Sequence, residues 1–434
     1  MTGAGARFWV ALSLGLTGVP VSSAPVLDPC AIQDQAACNR MWIDAAGRPN
    51  PAAYDALVLL DDAAIDGLNP DDYGVSELRL RSDAIATATA LTSEAARFDA
   101  DLTAAMLRFL RDLHAGRAGA QAFGVPDLGE EDDPDYLALL RSAAVTGRLL
   151  PLVDVLTPAG RQYTAIRREL ARYRELELQR DWSAALSGLT HLVPGGSGDV
   201  GALRAWLMAT GDLGLASPDT RAGYSGAIVD AVRRFQTRHG LPADGIIGAA
   251  TLKALRTPVA ARIRQLELAL ERQRWLRALG PGRLVAINIP MFRLWAWDRP
   301  DSGTPPDLAM NAVVGRAVAT ETPVLVETMT HVVLGTPVPG IFAGPRLDLS
   351  RGYIRVEDPV ALAAWALRGL DEWPAHAIAR AAPAVISRRI DLIRPAQVLV
   401  YYATAAVLPD DGLLHFSEDI YGRDEALGRV LRRR

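Results

Sequence analysis

Cysteine is nearly absent from this 434-residue chain: there are two, Cys30 and Cys38. With no thiol after residue 38, the rest of the chain has no Cys-rich zinc site, no iron–sulfur cluster and no cysteine nucleophile. Lysine is scarcer still, since Lys253 is the one lysine among 46 basic residues, and 50 acidic residues leave a formal charge of −4. That balance excludes both the basic excess of a nucleic-acid binder and the acidic excess of a solvating tail. No stretch beyond the amino terminus reaches the roughly 18 consecutive apolar residues that read as a membrane-spanning helix. Half of the residues are hydrophobic, enough for several buried cores, and the length points to two or three domains.

Arg7, the apolar run Phe8–Val19, Pro20 and the small-residue stretch Val21-Ser22-Ser23-Ala24 have the layout of a secretory signal peptide over residues 1–23. Pro25 disfavours cleavage after Ala24, so Ser23 is the expected last residue removed. The alternative is a buried amino-terminal helix. Export would place Cys30 and Cys38 in an oxidising compartment, where a local disulfide is the default. Leu27-Asp28-Pro29 lacks the small apolar residues expected before a lipid-modified Cys30.

From Trp42 to about Tyr173 the pattern is helical, with amphipathic stretches near Ala52–Asp66, Arg97–Ala115, Asp135–Val145 and Tyr163–Arg180. Nothing in it has a catalytic pattern; His114 reads as a core or capping residue and Glu130–Asp133 as a solvated loop. Pro194-Gly195-Gly196-Ser197-Gly198-Asp199 is a linker by composition. Its Gly196-x-Gly198-x-x-Gly201 matches the dinucleotide fingerprint in form, but no strand precedes it, so it reads as a loop. Helices are expected at Leu203–Met208 and Ala227–Arg238, and a third from Ala249, with Ile228, Val232 and Phe235 on one face and Gly240 as a C-terminal cap.

The string AVRRFQTRHGLPADGIIGAATLKAL resembles the peptidoglycan-binding module carried by many bacterial wall enzymes. The resemblance covers about 55 residues and implies a three-helix domain that docks on wall peptide or glycan, with Phe235, Gln236, Asp244, Gly245, Gly248 and Thr251 as candidate binding residues. The plainer alternative makes Phe235 core and Asp244-Gly245 a turn.

After an Arg/Leu-rich helix around Ile263–Leu279 the pattern changes to strands. Leu284–Ile289 and Phe292–Trp297 read as a hairpin, followed by strands at Asn311–Val314, Val324–Val333, Val398–Val407 and Leu413–Phe416, and a helix at Val360–Leu367. Trp295, Trp297, Tyr401 and Tyr402 read as strand packing, with an exposed pair at a protein interface as the alternative. The strings VAINIPMFRLWAWD, NAVVG, ETPV, SRGYIRVEDPVALAAWAL and VLVYYATAAVLPDDGLLHFSEDIYGRDEAL resemble the L,D-transpeptidase (YkuD-type) catalytic domain in its long, YcbB-like subgroup. The fold this implies is multidomain α+β: a helical scaffold over 24–193, the peptidoglycan-binding domain over 194–257, a linking helix over 258–282 and a β-rich L,D-transpeptidase-like domain over 283–434.

Such enzymes cross-link peptidoglycan stems through a cysteine thiolate, activated by histidine, in a Ser-x-Gly-Cys motif. Here the motif reads Ser350-Arg351-Gly352-Tyr353. A phenol with a pKa of about 10 is mostly un-ionised at neutral pH, so Tyr353 is no conservative replacement. In the His-Asp-Thr-Pro register stand Leu334 and Gly335 before Thr336-Pro337. His331 lies three residues before Leu334, an offset that turns it to the opposite face of a strand. Between Glu321-Thr322-Pro323 and Gly335-Thr336-Pro337, where the subgroup carries a long segment with its lid, only Val324–Leu334 remains. Ser350, Gly352, Arg355 and Asp358 then read as a structural relic, with Arg355 and Asp358 pairing at a helix start.

The resulting expectation is a periplasmic, peptidoglycan-binding, catalytically inactive L,D-transpeptidase homologue acting as scaffold or regulator in wall cross-linking or remodelling. It needs no cofactor or metal, and its partners would be peptidoglycan and an active wall-synthesis enzyme or paralogue. One alternative is an active wall enzyme with a remodelled site built on Tyr353, Ser350 or His331. Another is a purely structural wall protein.

Overall fold

In the computed structural model the described residues are 40–125, 134–214, 223–276, 282–300, 304–316, 320–334, 354–382 and 388–432. The signal-peptide stretch, Cys30, Cys38 and the acidic run Glu130–Asp133 lie outside them. Met41–Arg434 forms one unit, and the description that follows concerns it.

Side-chain caps start the amino-terminal helices. Asn50 accepts from the Ala53 N–H at 3.0 Å, with Pro51 in the first turn of helix Pro51–Asp61. Thr92 accepts from the Ala95 N–H at 3.1 Å ahead of helix Ser93–Ala115. Each satisfies an N–H that the helix itself leaves free. Along Ser93–Ala115 the buried residues Phe98, Leu102, Met106, Phe109 and Leu113 recur every three to four positions, which gives one apolar stripe. With Trp42, Leu57 and Leu60, and with helices Val75–Ile85, Tyr136–Thr146 and Leu149–Leu156, it closes the first core. His114, in the last turn, meets the Tyr136 hydroxyl at 2.8 Å.

The second core ignores the linker that composition marks out. Tyr163, Ile166, Leu170 and Tyr173 of helix Arg161–Gln179 pack with Leu203, Phe235 and Ile247 from the region of helices Gly201–Ala209, Ala227–Arg238 and Ala249–Leu255. Leu414 and Phe416 from the far end of the chain complete it. The Gly-rich linker is itself tied down, since Gly195 N–H donates to the Tyr224 carbonyl at 2.9 Å.

The carboxy-terminal region is a six-stranded sheet in the order β4-β6-β1-β2-β3-β5, with β1 Arg283–Asn288, β2 Arg293–Trp297, β3 Leu308–Val313, β4 Leu325–Leu334, β5 Arg355–Val356 and β6 Arg388–Tyr401. β1 and β2 form the expected antiparallel hairpin, with Val285 opposite Ala296. β1 also pairs parallel with β6, Val285 opposite Val398, as unbroken apolar runs do when both faces are covered. A second, two-stranded sheet joins β7 Ala405–Val407 to β8 Leu414–Phe416. The expected single strand Val398–Val407 is therefore two strands in two sheets. The chain turns at Tyr402–Thr404, where Asn288 Oδ1 accepts from the Ala403 N–H at 3.3 Å and the Thr404 carbonyl accepts from the Ser417 N–H at 2.8 Å. Trp295 of β2 is buried, and Tyr402 is buried in the turn after β6.

Helix Val259–Arg274 joins the parts. It packs on Arg161–Gln179 and on β7, and its last turns carry buried charge. Glu271, 2 % exposed, accepts from the backbone N–H groups of Arg117 and Ala118 at 2.6 and 2.7 Å, and from Arg274 at 3.2 Å. Arg274, 1 % exposed, donates also to the Asp66 carbonyl and to the Tyr163 hydroxyl at 3.0 Å. Tyr163 in turn donates to Asp66 Oδ1 at 2.9 Å. Ions this deep persist only when paired and hydrogen-bonded. Arg272 reaches Asp424 at 2.5 Å, in the carboxy-terminal helix Arg423–Arg432. The sheet domain is thus fixed to the same helix as the amino-terminal region.

Candidate functional site

The residues singled out in the wall-binding string converge on one loop. Gln236 is 1 % exposed and uses both ends of its amide. Its Oε1 accepts from the Gly245 N–H at 2.8 Å, and its Nε2 donates to Asp244 Oδ1 at 2.8 Å, to the Ile246 carbonyl at 3.0 Å and to Thr251 Oγ1 at 3.2 Å. Asp244 Oδ1 also accepts from the Ile246 N–H at 2.8 Å, and Thr251 donates to the Ile246 carbonyl at 3.1 Å. A buried amide that saturates its donors and acceptors in this way fixes a loop conformation.

Gly245 has φ +75°, and a Cβ there would lie 2.8 Å from Val229 Cγ1, so both the backbone and the space require glycine. Gly248 is the residue before helix Ala249–Leu255. Phe235 is wholly buried. Of the six candidates, Asp244 is exposed and Gly248 half-buried, whereas Phe235, Gln236, Gly245 and Thr251 are buried. The buried four shape the loop from inside, whereas Asp244 and Gly248 reach its surface.

Sequence reasoning passed over the residues that fasten this module to the rest of the chain. Arg238 donates through Nε to Asp212 Oδ1 at 2.8 Å, through Nη2 to Asp212 Oδ2, and through Nη1 to the Leu414 carbonyl at 2.7 Å. Thr210 Oγ1 donates to Asp212 Oδ2 at 2.8 Å. The two charged side chains are 4 % and 1 % exposed. Beside them His239 stacks between Phe235 and Phe416, ring centroids at 3.9 and 5.6 Å, while Arg262 lies 4.6 Å over the other aromatic partner, Phe416. Burial, then the nearby Arg262 and Arg238 charges, hold the His239 imidazole well below the ordinary histidine value. Burial also lowers Arg262, to about 10, and pushes the Tyr224 phenol up to about 12. No local pattern announces these partners, which are separated by 26 and 176 residues.

In the sheet domain, Leu334 ends β4 buried at 5 % exposure, opposite Arg388 of β6. His331, half-buried, faces the exposed Asp391 across the strand pair, and its Nδ1 meets Thr330 Oγ1 at 3.1 Å. Val332 and Leu334 share the other face of the strand, with Val332 opposite the buried Ile390. Arg355 lies in β5 opposite Val313, at the other end of the strand order from Leu334. Asp358 caps helix Pro359–Ala366 by accepting from the Ala361 N–H at 2.8 Å. It does so alone: among the described residues Arg355 forms no ion pair with it, which corrects the expected pairing. The cap needs only the Asp358 carboxylate. Ser350, Gly352 and Tyr353 lie outside the described residues. Among the described residues no group of three or more His, Cys, Asp or Glu is placed to hold a metal ion, and no helix is long and apolar enough to cross a membrane.

Comparison with known proteins bears on two segments. Residues 34–170 match the family model described as a scaffold domain, and residues 196–255 match that of the peptidoglycan binding domain. No curated protein matches the chain. Among solved structures, the L,D-transpeptidase (residues 123–326) from Xylanimonas cellulosilytica shares 20 % identity over 49 % of this chain and 98 % of its own, with a TM-score of 0.18, too low to carry an inference about fold. The chain thus contains a peptidoglycan-binding domain, which supports a cell-wall role with peptidoglycan as partner.

Proposed function

We propose that this protein is a catalytically inactive relative of the L,D-transpeptidases that works outside the cytoplasmic membrane, in the periplasm, binding peptidoglycan as a scaffold or regulator of cross-linking or remodelling. The observation that carries it is the matched wall-binding domain at residues 196–255, which shares a core with Phe416 and is bonded through Arg238 to the Leu414 carbonyl. A module cemented in this way presents wall material to a fixed neighbour, as a scaffold requires.

Inactivity is supported from the residues. No cysteine follows residue 38, and the resembled chemistry needs a thiolate. Leu334, at the expected histidine position, is a buried apolar side chain. Nearly all of Val324–Leu334 is spent on strand β4, leaving no chain there for a lid. His331 lies on the opposite face of that strand from Leu334, away from the position a base would occupy.

The test is incubation of the purified protein with isolated sacculi and, separately, with soluble tetrapeptide stems. Retention on sacculi without cross-linked or trimmed products is expected. Product that disappears in Tyr353→Phe would establish the alternative, a remodelled enzyme, and loss of retention would remove the wall-binding role.

A further inference from the structure

Strand β4 ends the six-stranded sheet, and among the described residues no strand pairs with its outer edge. Its backbone makes no hydrogen bond there besides the ladder to β6. An open row of N–H and C=O groups is a template for a further strand, which proteins ordinarily blunt with proline, lysine or a bulge. β4 uses none of these. Its ten residues, Leu325-Val326-Glu327-Thr328-Met329-Thr330-His331-Val332-Val333-Leu334, include no Pro, Lys, Arg or Gly. The irregularity in the ladder lies on the other strand: Met329 faces Ala396 and His331 faces Asp391, so the extra residues belong to β6 and β4 runs straight. Glu327, Thr328, Thr330 and Val333 are exposed. Glu327 and His331 form no ion pair among the described residues, and Asp391 is taken by Arg389 at 2.9 Å.

The order of side chains along β4 says which strand fits that edge. Counted outward from Met329, Thr328 matches Thr330, Glu327 matches His331, Val326 matches Val332 and Leu325 matches Val333. The strand is therefore complementary to itself run backwards. In an antiparallel pair, opposed residues share a face with Cβ atoms about 4.5–5.5 Å apart, and their chemistry decides the register. Antiparallel pairing about Met329 sets acid on imidazole, Thr on Thr and apolar on apolar. Sliding the register by one position about either neighbour opposes His331 to Met329 or to Leu325, and parallel pairing in register opposes Glu327 to Glu327, each less favourable.

We propose that two copies of this chain associate through the outer edges of β4, paired antiparallel about Met329, so that one sheet runs through both. The contact is two-fold symmetric, and each dimer contains the Glu327–His331 pair twice. His331 Nδ1 meets Thr330 Oγ1 at 3.1 Å, which leaves Nε2 for Glu327 of the second copy. The strand edge and its sequence carry this inference independently of the wall-binding role.

Sedimentation equilibrium of the full chain tests this, and a concentration-dependent dimer is expected. Glu327→Arg replaces both acid–imidazole pairs by arginine on imidazole and should weaken association by about tenfold or more. The exchange Glu327→His with His331→Glu restores both pairs and should return the dissociation constant to within about threefold of the natural value. Cross-linking checks the register without relying on either charge variant. Under mild oxidation Met329→Cys should join the two copies, because that position faces itself across the two-fold axis. Val333→Cys should not, since its counterpart lies eight residues along the strand, about 26 Å away. The natural protein, with Cys30 and Cys38, supplies the background. A monomer at every concentration, a dimer indifferent to Glu327→Arg, an exchange as weak as the single substitution, or cross-linking at Val333 as readily as at Met329 would each overturn the proposal.

Discussion

Replacing Arg238 by alanine should release the wall-binding module from the carboxy-terminal hairpin. The substitution leaves Asp212, 1 % exposed, with Thr210 Oγ1 as its remaining side-chain donor among the described residues, and strips the Leu414 carbonyl of its bond to Nη1. Removing one member of a buried pair costs about 3–5 kcal/mol, because the other charge stays buried without compensation. Arg233–Asp230, whose side chains are 46 % and 59 % exposed, should lose no more than about 1 kcal/mol on the same change. The double substitution Arg238→Met with Asp212→Leu removes both charges while filling the space, and should lie within about 2 kcal/mol of the natural protein. Urea unfolding gives the midpoints, and hydrogen exchange of helix Ala227–Arg238 reports whether the loss is local to the module. If Arg238→Ala costs less than about 1 kcal/mol, or the double substitution falls as far as the single one, the buried pair does not hold the module in place.

Two further outcomes follow from the same region. Gly245→Ala puts a Cβ 2.8 Å from Val229 Cγ1 at φ +75°, so it should destabilise the module by more than about 1 kcal/mol, whereas Gly248→Ala, where a Cβ meets nothing within 4 Å, should be near neutral in thermal unfolding. His239 stays neutral in the fold because its value is depressed by burial and by Arg262 and Arg238, with His415 contributing more weakly. Below about pH 6.5 the unfolded chain takes up a proton that the folded chain refuses, so stability should fall with pH by up to about 1.4 kcal/mol per unit, down to the depressed folded value. His239→Phe keeps the stack on Phe235 and Phe416 and should flatten that part of the pH profile; an unchanged slope between pH 6.5 and 5 would show that another group is responsible.

Much of the helical part was legible because amphipathic periodicity is a local signal. It bounds Ala227–Arg238 to the residue, and it marks the stripe of Ser93–Ala115 from Arg97, about one turn inside the helix start. Helix Val75–Ile85 escaped because its polar sequence, Ser76-Glu77-Leu78-Arg79-Leu80-Arg81-Ser82-Asp83, hides the buried Leu78 and Ile85. The first half of β6 escaped for a different reason. Pro395 argues against an interior strand, yet the strand runs through it, since Met329 faces Ala396 whereas His331 faces Asp391. The extra residues between them form an irregularity that takes up the proline, which a bulge permits. The candidate wall-binding residues come from two helices and the loop between them, and which of them are buried is not written locally.

The sequence by itself determined the chemistry that is missing and the pieces that are present: no thiol past residue 38, a glycine-punctuated loop after an amphipathic helix, and alternating strands near the end. These follow from residue type and from repeat distances of a few residues, which act within one element. Only the tertiary structure decided how the pieces join. Phe416 closes a core begun by Tyr163, and Arg238 reaches Leu414 across 176 residues. Glu271 meets the backbone of Arg117 and Ala118 more than 150 positions away. Burial and charge pairing are satisfied by whichever groups the fold brings into range, and sequence separation carries no trace of that choice.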